Sequence, residues 1–532
     1  IYSGDKEIVQ SGGTLRGTLA LSGGYEIISA GGVDVGATIS SGAVQNVFGS
    51  ASAVVVYGGG IQTVSAGTGS GTTVETGGHQ YVLAGGRAVG ATLSGGTEID
   101  AVGGVASGTT VSSGGVEVVR GTAGGTIVDS GGNAYVYGTA SLASVNSGGT
   151  VTVENGGVAS GTTVSGGGLA YVGSGGVASG SVLGSHGRQI DLVGGVASST
   201  IVSSGGVEVV RGTAGGTIVD AGGNAYVYGA ASLATVNSGG TVTVENGGVA
   251  SGTIVSGGGL AYVGSGGVAS GSVLGSHGRQ IDAVGGVASG TTVSSGGVEV
   301  VRGTASGTIV DGGGNAYVYG TASLATVNSG GNVTVESGGV ASGGTISGGR
   351  VEVASGGSIG GAPITFAGGG TLQLDASTGV TGQIAGFAVP DRLDLRDIGY
   401  GSGITTTRNF TEAISNTSGT LTVSDGTHTA SLTLLGQYTT SQFNLAGDLH
   451  GGTLVTDPPA AAGSFQTSFN DIALDPLLNG AGDQANPDHY SQLGAFGTSD
   501  QPPSDQLQAA GGQTLLPLAD SGDLNPLLTA PR

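Results

Sequence analysis

Cysteine is absent from all 532 residues, so neither a disulfide framework nor thiol chemistry is available to this chain. Basic residues are scarce: 13 Lys and Arg stand against 35 Asp and Glu, giving a net charge of −22 that argues against nucleic acid as a partner. Charged residues of both signs make up only 9% of the chain, and an acidic, Ser/Thr-rich surface of this kind is well solvated and keeps Gly-rich rods apart in solution. No run of eighteen apolar residues occurs, so no helix is expected to span a membrane. No Gly-Lys-Ser/Thr follows the Gly-rich phrases, which are therefore not phosphate loops, and no Gly-Gly-x-Gly-x-Asp nonapeptide marks a calcium roll. His186 and His277 sit in Ser-His-Gly turns with no second His or Cys at metal-ligand spacing, and both are expected to be exposed turn residues. No cofactor and no metal is expected. The chain begins at Ile1 in phase with its own repeat, since Asp5 lies 19 residues before Gly24, and the expectation is that a targeting segment has been removed or left out.

What is present is glycine and repetition. The stretch Gly115 to Gly205 returns nearly letter for letter as Gly206 to Gly296 and begins again at Gly297, a period of 91 residues, with a fainter copy from Gly24. Inside each unit a shorter beat is marked by the second residue of a Ser-Gly-Gly-like turn, at Gly115, Gly132, Gly149, Gly168, Gly187 and Gly206, in steps of 17 or 19 residues. Nine residues before each closing mark stands an alanine (Ala123, Ala140, Ala159, Ala178, Ala197), and four before it an aliphatic (Val128, Val145, Val164, Leu183, Val202). Those offsets are constant, so the two-residue difference falls at one corner, where Arg120-Gly121-Thr122 corresponds to Glu154-Asn155-Gly156-Gly157-Val158.

A small and a branched residue at fixed places in every step are what a coil of short strands needs, each step laid on the last with like side chains stacked. Helical repeats are a poor fit, because glycine costs about 1 kcal/mol per helical position relative to alanine. Collagen is excluded, since 119 glycines in 532 residues fall short of one third and keep no three-residue period. Thr150-Val151-Thr152-Val153 and Asn133-Ala134-Tyr135-Val136-Tyr137 alternate with period two, as half-exposed strands do. The fold class expected is all-β: a parallel β-solenoid of about 20 rungs with a C-terminal β cap and an extended tail. Marks counted from Asp5 to Gly370 give 21 rungs and a rod of about 100 Å. Each rung is expected to bury a few small aliphatics and to be stable only when stacked.

Three segments are expected: a solenoid over 1–371, a cap over 372–456 and a Pro/Gln/Asp/Leu-rich tail over 457–532. The cap reading rests on the change of pattern at Leu372-Gln373-Leu374-Asp375, on an Asp425-Gly426 hairpin turn, and on the need to cover an open sheet edge.

The phrase Gly-Gly-Val-Ala-Ser-Gly-Thr-Thr-Val, at Gly156 to Val164 and Gly285 to Val293 and varied at Gly194 to Val202, resembles the 19-residue repeats of the AIDA and antigen 43 type of autotransporter passenger over about residues 5–370. The segments Leu421 to His428 and Asp448 to Asp457 resemble the C-terminal module of large secreted repeat proteins of alphaproteobacteria. The resemblance implies a right-handed β-helix secreted to or displayed on the surface of a Gram-negative bacterium, acting in adhesion, self-association or biofilm formation through itself or through host and matrix glycans and proteins. Some members of that family are heptosylated on Ser and Thr. One departure is the lack of a long series of amphipathic strands of about ten residues, as a membrane β-barrel would need. Cleavage, a shortened chain and secretion through another machine are then the export routes to weigh.

Polysaccharide lyases and hydrolases also use β-helices. The nearest catalytic candidates, Glu117 with Arg120 and Arg188 with Asp191, recur as Glu208 with Arg211, Glu299 with Arg302, and Arg279 with Asp282. An active site is built once, so these are read as surface ion pairs and no catalysis is expected. His428, His450, Asp448 and Asp457 are the set a metal in the cap would use. Tyrosine pairs recur every five rungs, or about 24 Å: Tyr135 and Tyr137, Tyr226 and Tyr228, Tyr317 and Tyr319. Each pair shares one strand face, where a ring either meets sugars or a neighbouring rod or packs over its own neighbours. A purely structural stalk or end-to-end filament subunit is the alternative function.

Overall fold

A computed structural model describes residues 1–457; the tail expected over 457–532 lies outside the described residues from 458 onward. The described chain is a parallel β-solenoid. Each rung contributes a four-residue strand to a first face, a two- or three-residue strand to a second, and a two- or three-residue strand to a third. The first face stacks 22 parallel strands in register, from Lys6–Val9 to Arg392–Leu395. The 21 rungs counted from the sequence end at Thr371–Leu374, and one further parallel strand, Arg392–Leu395, follows.

The alanine column is the midline of the second face: Ala123 pairs with Ala140, Ala140 with Ala159, Ala159 with Ala178 and Ala178 with Ala197, all buried. Val128, Val145, Val164, Leu183 and Val202 form the equivalent column of the third face, each at 0% exposure. These residues are aliphatic and compact because each must fit between like neighbours above and below, where packing is as dense as in a crystal.

The two glycines of each turn answer two different demands. Gly131, with φ of 77°, takes the left-handed conformation that closes the corner. Gly132, the mark itself, has an ordinary φ, but a Cβ there would meet the Val111 carbonyl oxygen of the rung beneath at 2.2 Å. His186 takes the left-handed position of its own turn with φ of 65° and is exposed.

The length difference between rungs is absorbed at the corner between the first and second faces. In the short rung the amides of Arg120 and Gly121 both donate to the Asp100 carbonyl; in the long rung a turn closes from Gly157 N–H to Glu154 C=O.

At the C-terminal end the chain turns antiparallel. Thr407–Glu412, Ser418–Ser424 and Thr429–Leu435 form a meander whose last strand pairs with Gln383–Ala385 of the third face. Thr453–Thr456 runs antiparallel to Arg392–Leu395 and covers the edge of the first face, with Asn444–Gly447 beyond it. Phe366, Phe387, Phe410, Tyr438 and Phe443 pack beneath, with ring centroids 5.6 to 6.3 Å apart.

Candidate functional site

Alternation along each first-face strand decides what can act. The first and third residues point out, the second and fourth point into the bore, and in-register stacking turns each position into a column. The third-position column reads Val118, Tyr135, Thr152, Tyr171, Ile190, Val209 and Tyr226. Tyr135, Tyr226 and Tyr317 are half-buried among these neighbours, whereas Tyr137, Tyr228 and Tyr319, just past the strand, are 42%, 43% and 45% exposed. The structure therefore separates the two rings of each pair: the first packs over the sheet and the second is open to solvent.

Each exposed ring carries an arginine from the rung before it. The guanidinium of Arg120 lies 5.8 Å from the Tyr137 ring centre, Arg211 lies 5.8 Å from Tyr228, and Arg302 lies 6.0 Å from Tyr319. Such stacking holds the ring flat and leaves the cation available to an anion or a second ring. Beside one of these stacks, Arg188, Ile190, Val207, Val209, Arg211, Tyr226 and Tyr228 line an open groove of about 250 Å³. The same residue types recur 91 positions on, from Arg279 to Tyr319.

The expected surface ion pairs are not there. Glu117, Glu208 and Glu299, and likewise Asp191 and Asp282, are turned into the bore at 0% exposure, while Arg120, Arg188, Arg211, Arg279 and Arg302 are outside. Residues three apart on a strand have opposite parity and cannot share a face, which is why Glu117 never meets Arg120, nor Arg188 Asp191. The ion pairs of the described residues lie at the C-terminal end, joining Arg350 to Glu352 and Arg396 to Asp394 and Asp448.

The bore is accordingly not wholly aliphatic. Its second-position column runs Glu26, Gln45, Gln62, Gln80, Glu98 and Glu117 before giving way to Ala134, Val151 and Ala170; it returns as Gln189 and Glu208, and again as Gln280 and Glu299. The glutamines form a chain of amide hydrogen bonds: Gln80 Nε2 donates to Gln62 Oε1 at 2.7 Å, Gln62 Nε2 to Gln45 Oε1 at 2.7 Å, and Gln45 Nε2 to Glu26 Oε2 at 2.8 Å. Gln189 Nε2 donates to Asp191 Oδ1 and Gln280 Nε2 to Asp282 Oδ1, both at 2.9 Å.

The interior acids hold their protons far above the ordinary carboxylate range. Burial, then the neighbouring Glu208, pushes Asp191 up to about 8, and burial with Glu299 does the same to Asp282. Burial lifts Glu26 to about 7, with Asp34 adding to the effect. Burial raises Glu98 and Glu117, and at Asp100 the charges of both add to it. The sequence carried the information for this interior: Glu117 precedes Val119 by two, in phase with Ala134 and Val136, and strict alternation alone places it inside.

In the cap, His428 Nδ1 lies 3.6 Å from Asp425 Oδ2, and His450 Nδ1 lies 3.0 Å from the Asp448 carbonyl oxygen, while Asp448 reaches Arg396 at 3.5 Å. His428, His450, Asp448 and Asp457 do not gather into one ligand set; among the described residues the only such set of His, Cys or carboxylate groups is Glu98, Asp100 and Glu117.

No family model matches the chain, and no curated protein matches it. Among solved structures it is similar to a crystallised fragment of TibA, residues 55–350, hyper-glycosylated by TibC: 33% identical, covering 58% of this chain and 96% of that one, with a TM-score of 0.37. The rungs, as a β-solenoid whose turns run 17 to 19 residues before lengthening to 21 at the C-terminal end, are consistent with repeats of the AIDA type of autotransporter passenger.

Proposed function

We propose that this chain is a secreted or cell-surface β-solenoid that associates with copies of itself and adheres to glycan or protein surfaces through the outward side of its first face, without catalysis. The observation that carries the reading is the exposed arginine–tyrosine stack repeated at Tyr137, Tyr228 and Tyr319 on one line of a rigid column. Each stack offers a flat aromatic and a cation, the pair suited to sugar rings, to acidic sugars, or to the acidic flank of a second rod. One contact of this kind is worth only about 0.5–2 kcal/mol. Three at a fixed spacing of about 24 Å bind as a unit, because engagement of one raises the effective concentration of the others. Repetition also supports the non-catalytic reading, since the candidate acids point into a closed bore where no substrate reaches them.

Sedimentation velocity across a concentration series, together with settling of cells that display the chain, tests this. The wild type is expected to associate as concentration rises and to clump cells, and Tyr137→Ser/Tyr228→Ser/Tyr319→Ser is expected to need about tenfold more protein for the same association. A wild type that stays monomeric and leaves cells dispersed would overturn the adhesive reading. Release of reducing sugar from an acidic polysaccharide would overturn the non-catalytic one.

A further inference from the structure

Beyond the glutamine chain that starts at Glu26, three polar stations of the bore lie 91 residues apart, and the first of them differs from the others. At the second and third, a glutamine, an aspartate and a glutamate meet: Gln189, Asp191 and Glu208, then Gln280, Asp282 and Glu299. There the glutamine Nε2 donates to the aspartate at 2.9 Å. At the first station the glutamine is replaced by Glu98, so that a third carboxylate stands where the others have a donor.

Glu98, Asp100 and Glu117 are each at 0% exposure, and each presents an oxygen within 4.8 Å of the others'. Thr109 Oγ1 donates to Glu98 Oε1 at 3.1 Å, and Thr126 Oγ1 to Glu117 Oε1 at 3.3 Å. Glu98 Oε2, both oxygens of Asp100 and Glu117 Oε2 have no donor; the later stations also leave both oxygens of Glu208 and of Glu299 without one, but there the carboxylates number two and the aspartate is bound by its glutamine. A fourth side chain points to the same need. Gln80, in register with Glu98 one rung below, gives its Nε2 to Gln62 and leaves its Oε1 buried and without a donor. Among the described residues no lysine or arginine is buried to answer them.

We propose that Glu98, Asp100 and Glu117, with Gln80 Oε1 as a neutral ligand, hold one hard divalent cation of the calcium type inside the solenoid bore. An oxygen-only donor set selects hard cations, and the absence of imidazole and thiolate excludes a preference for zinc or copper. Calcium accepts irregular arrangements of carboxylate and amide oxygens; magnesium demands a tight octahedron and retains water, for which a bore packed with side chains has little room. The cation takes the place of the protons these acids otherwise hold, which are released to solvent, and gives the unpartnered oxygens a ligand. Because the station is closed to solvent, the ion enters while the rungs stack, so loading belongs to folding.

The test is refolding. Wild-type chain, unfolded and stripped with chelator, is refolded in millimolar CaCl2, MgCl2, MnCl2 or EDTA, desalted, and its metal content and Tm are measured. One calcium per chain is expected, with a higher Tm after calcium refolding than after EDTA refolding. Glu98→Gln gives the first station the Gln-Asp-Glu set that the chain already accommodates twice; it is expected to retain less than a tenth of the calcium and to show no calcium–EDTA difference in Tm. Wild type that emerges metal-free from all three salts, with the same Tm in EDTA, would overturn the proposal and leave the carboxylates holding protons alone. Equal calcium in wild type and variant would also overturn it, by placing the ion elsewhere. The wild-type measurements stand even if the variant fails to fold.

Discussion

At the scale of single residues, this solenoid is governed by what lies one rung beneath. Gly132 has no steric room for a methyl group, because the Val111 carbonyl oxygen would lie 2.2 Å from it. Gly132→Ala is therefore expected to destabilise the rod by about 1–3 kcal/mol, read as a lower urea midpoint. The substitution Ser130→Ala, at an exposed position of the same turn, should leave the midpoint unchanged. The interior aspartates give a second expectation. In the unfolded chain they release protons near pH 4, whereas folded Asp191 and Asp282 keep theirs to about 8. Between those values the folded state binds more protons than the unfolded one, so their contribution to stability is greatest below about pH 4 and is lost as pH rises towards 8. The charged groups facing them are Glu208 and Glu299, which add to the effect at high pH. Asp191→Asn/Asp282→Asn is expected to melt higher than wild type at pH 8.5 and to lose less Tm between pH 5 and 8.5; an unchanged profile in thermal melts would contradict this. The alanine and valine columns were legible in the sequence because each keeps a fixed offset from the glycine that marks most turns. The acid column was not, because a carboxylate beside an arginine three positions away reads as a surface pair until strand parity is applied to it.

At the scale of elements, the strands of each rung are too short to persist alone, and the cap is what ends the stack. Asp425 joins the cap hairpin to the rod: it accepts hydrogen bonds from the amides of Gly399 at 2.8 Å and of Thr427 and His428 at 2.7 Å, which hold its carboxyl well below the ordinary range. Asp425→Ala is expected to speed amide hydrogen exchange in Ser418–Ser424 and Thr429–Leu435 while leaving the rungs before Ile359 protected; equal protection in both variant and wild type would count against this role. The Asp-Gly turn was readable from its two letters. The pairing of Thr453–Thr456 back onto Arg392–Leu395 was not, because an antiparallel contact across more than fifty residues leaves no periodic trace.

At the scale of the whole solenoid, register is inherited from rung to rung, so the 91-residue unit is interchangeable. Excision of residues 206–296 joins Gly205 to Gly297 in phase, and the shortened rod is expected to fold with nearly the wild-type Tm and to be about 24 Å shorter. Excising ten residues from the same region breaks every column and is expected to abolish the cooperative transition. The same inheritance lines up the arginine–tyrosine stacks, which makes lateral association a property of the column and not of any one rung. Electron microscopy of the purified chain beside Tyr137→Ser/Tyr228→Ser/Tyr319→Ser measures this most directly. Rods of about 100 Å lying side by side in the wild type, and single rods of the same length in the variant, are the expected result; lone rods in both, at every concentration, would contradict it.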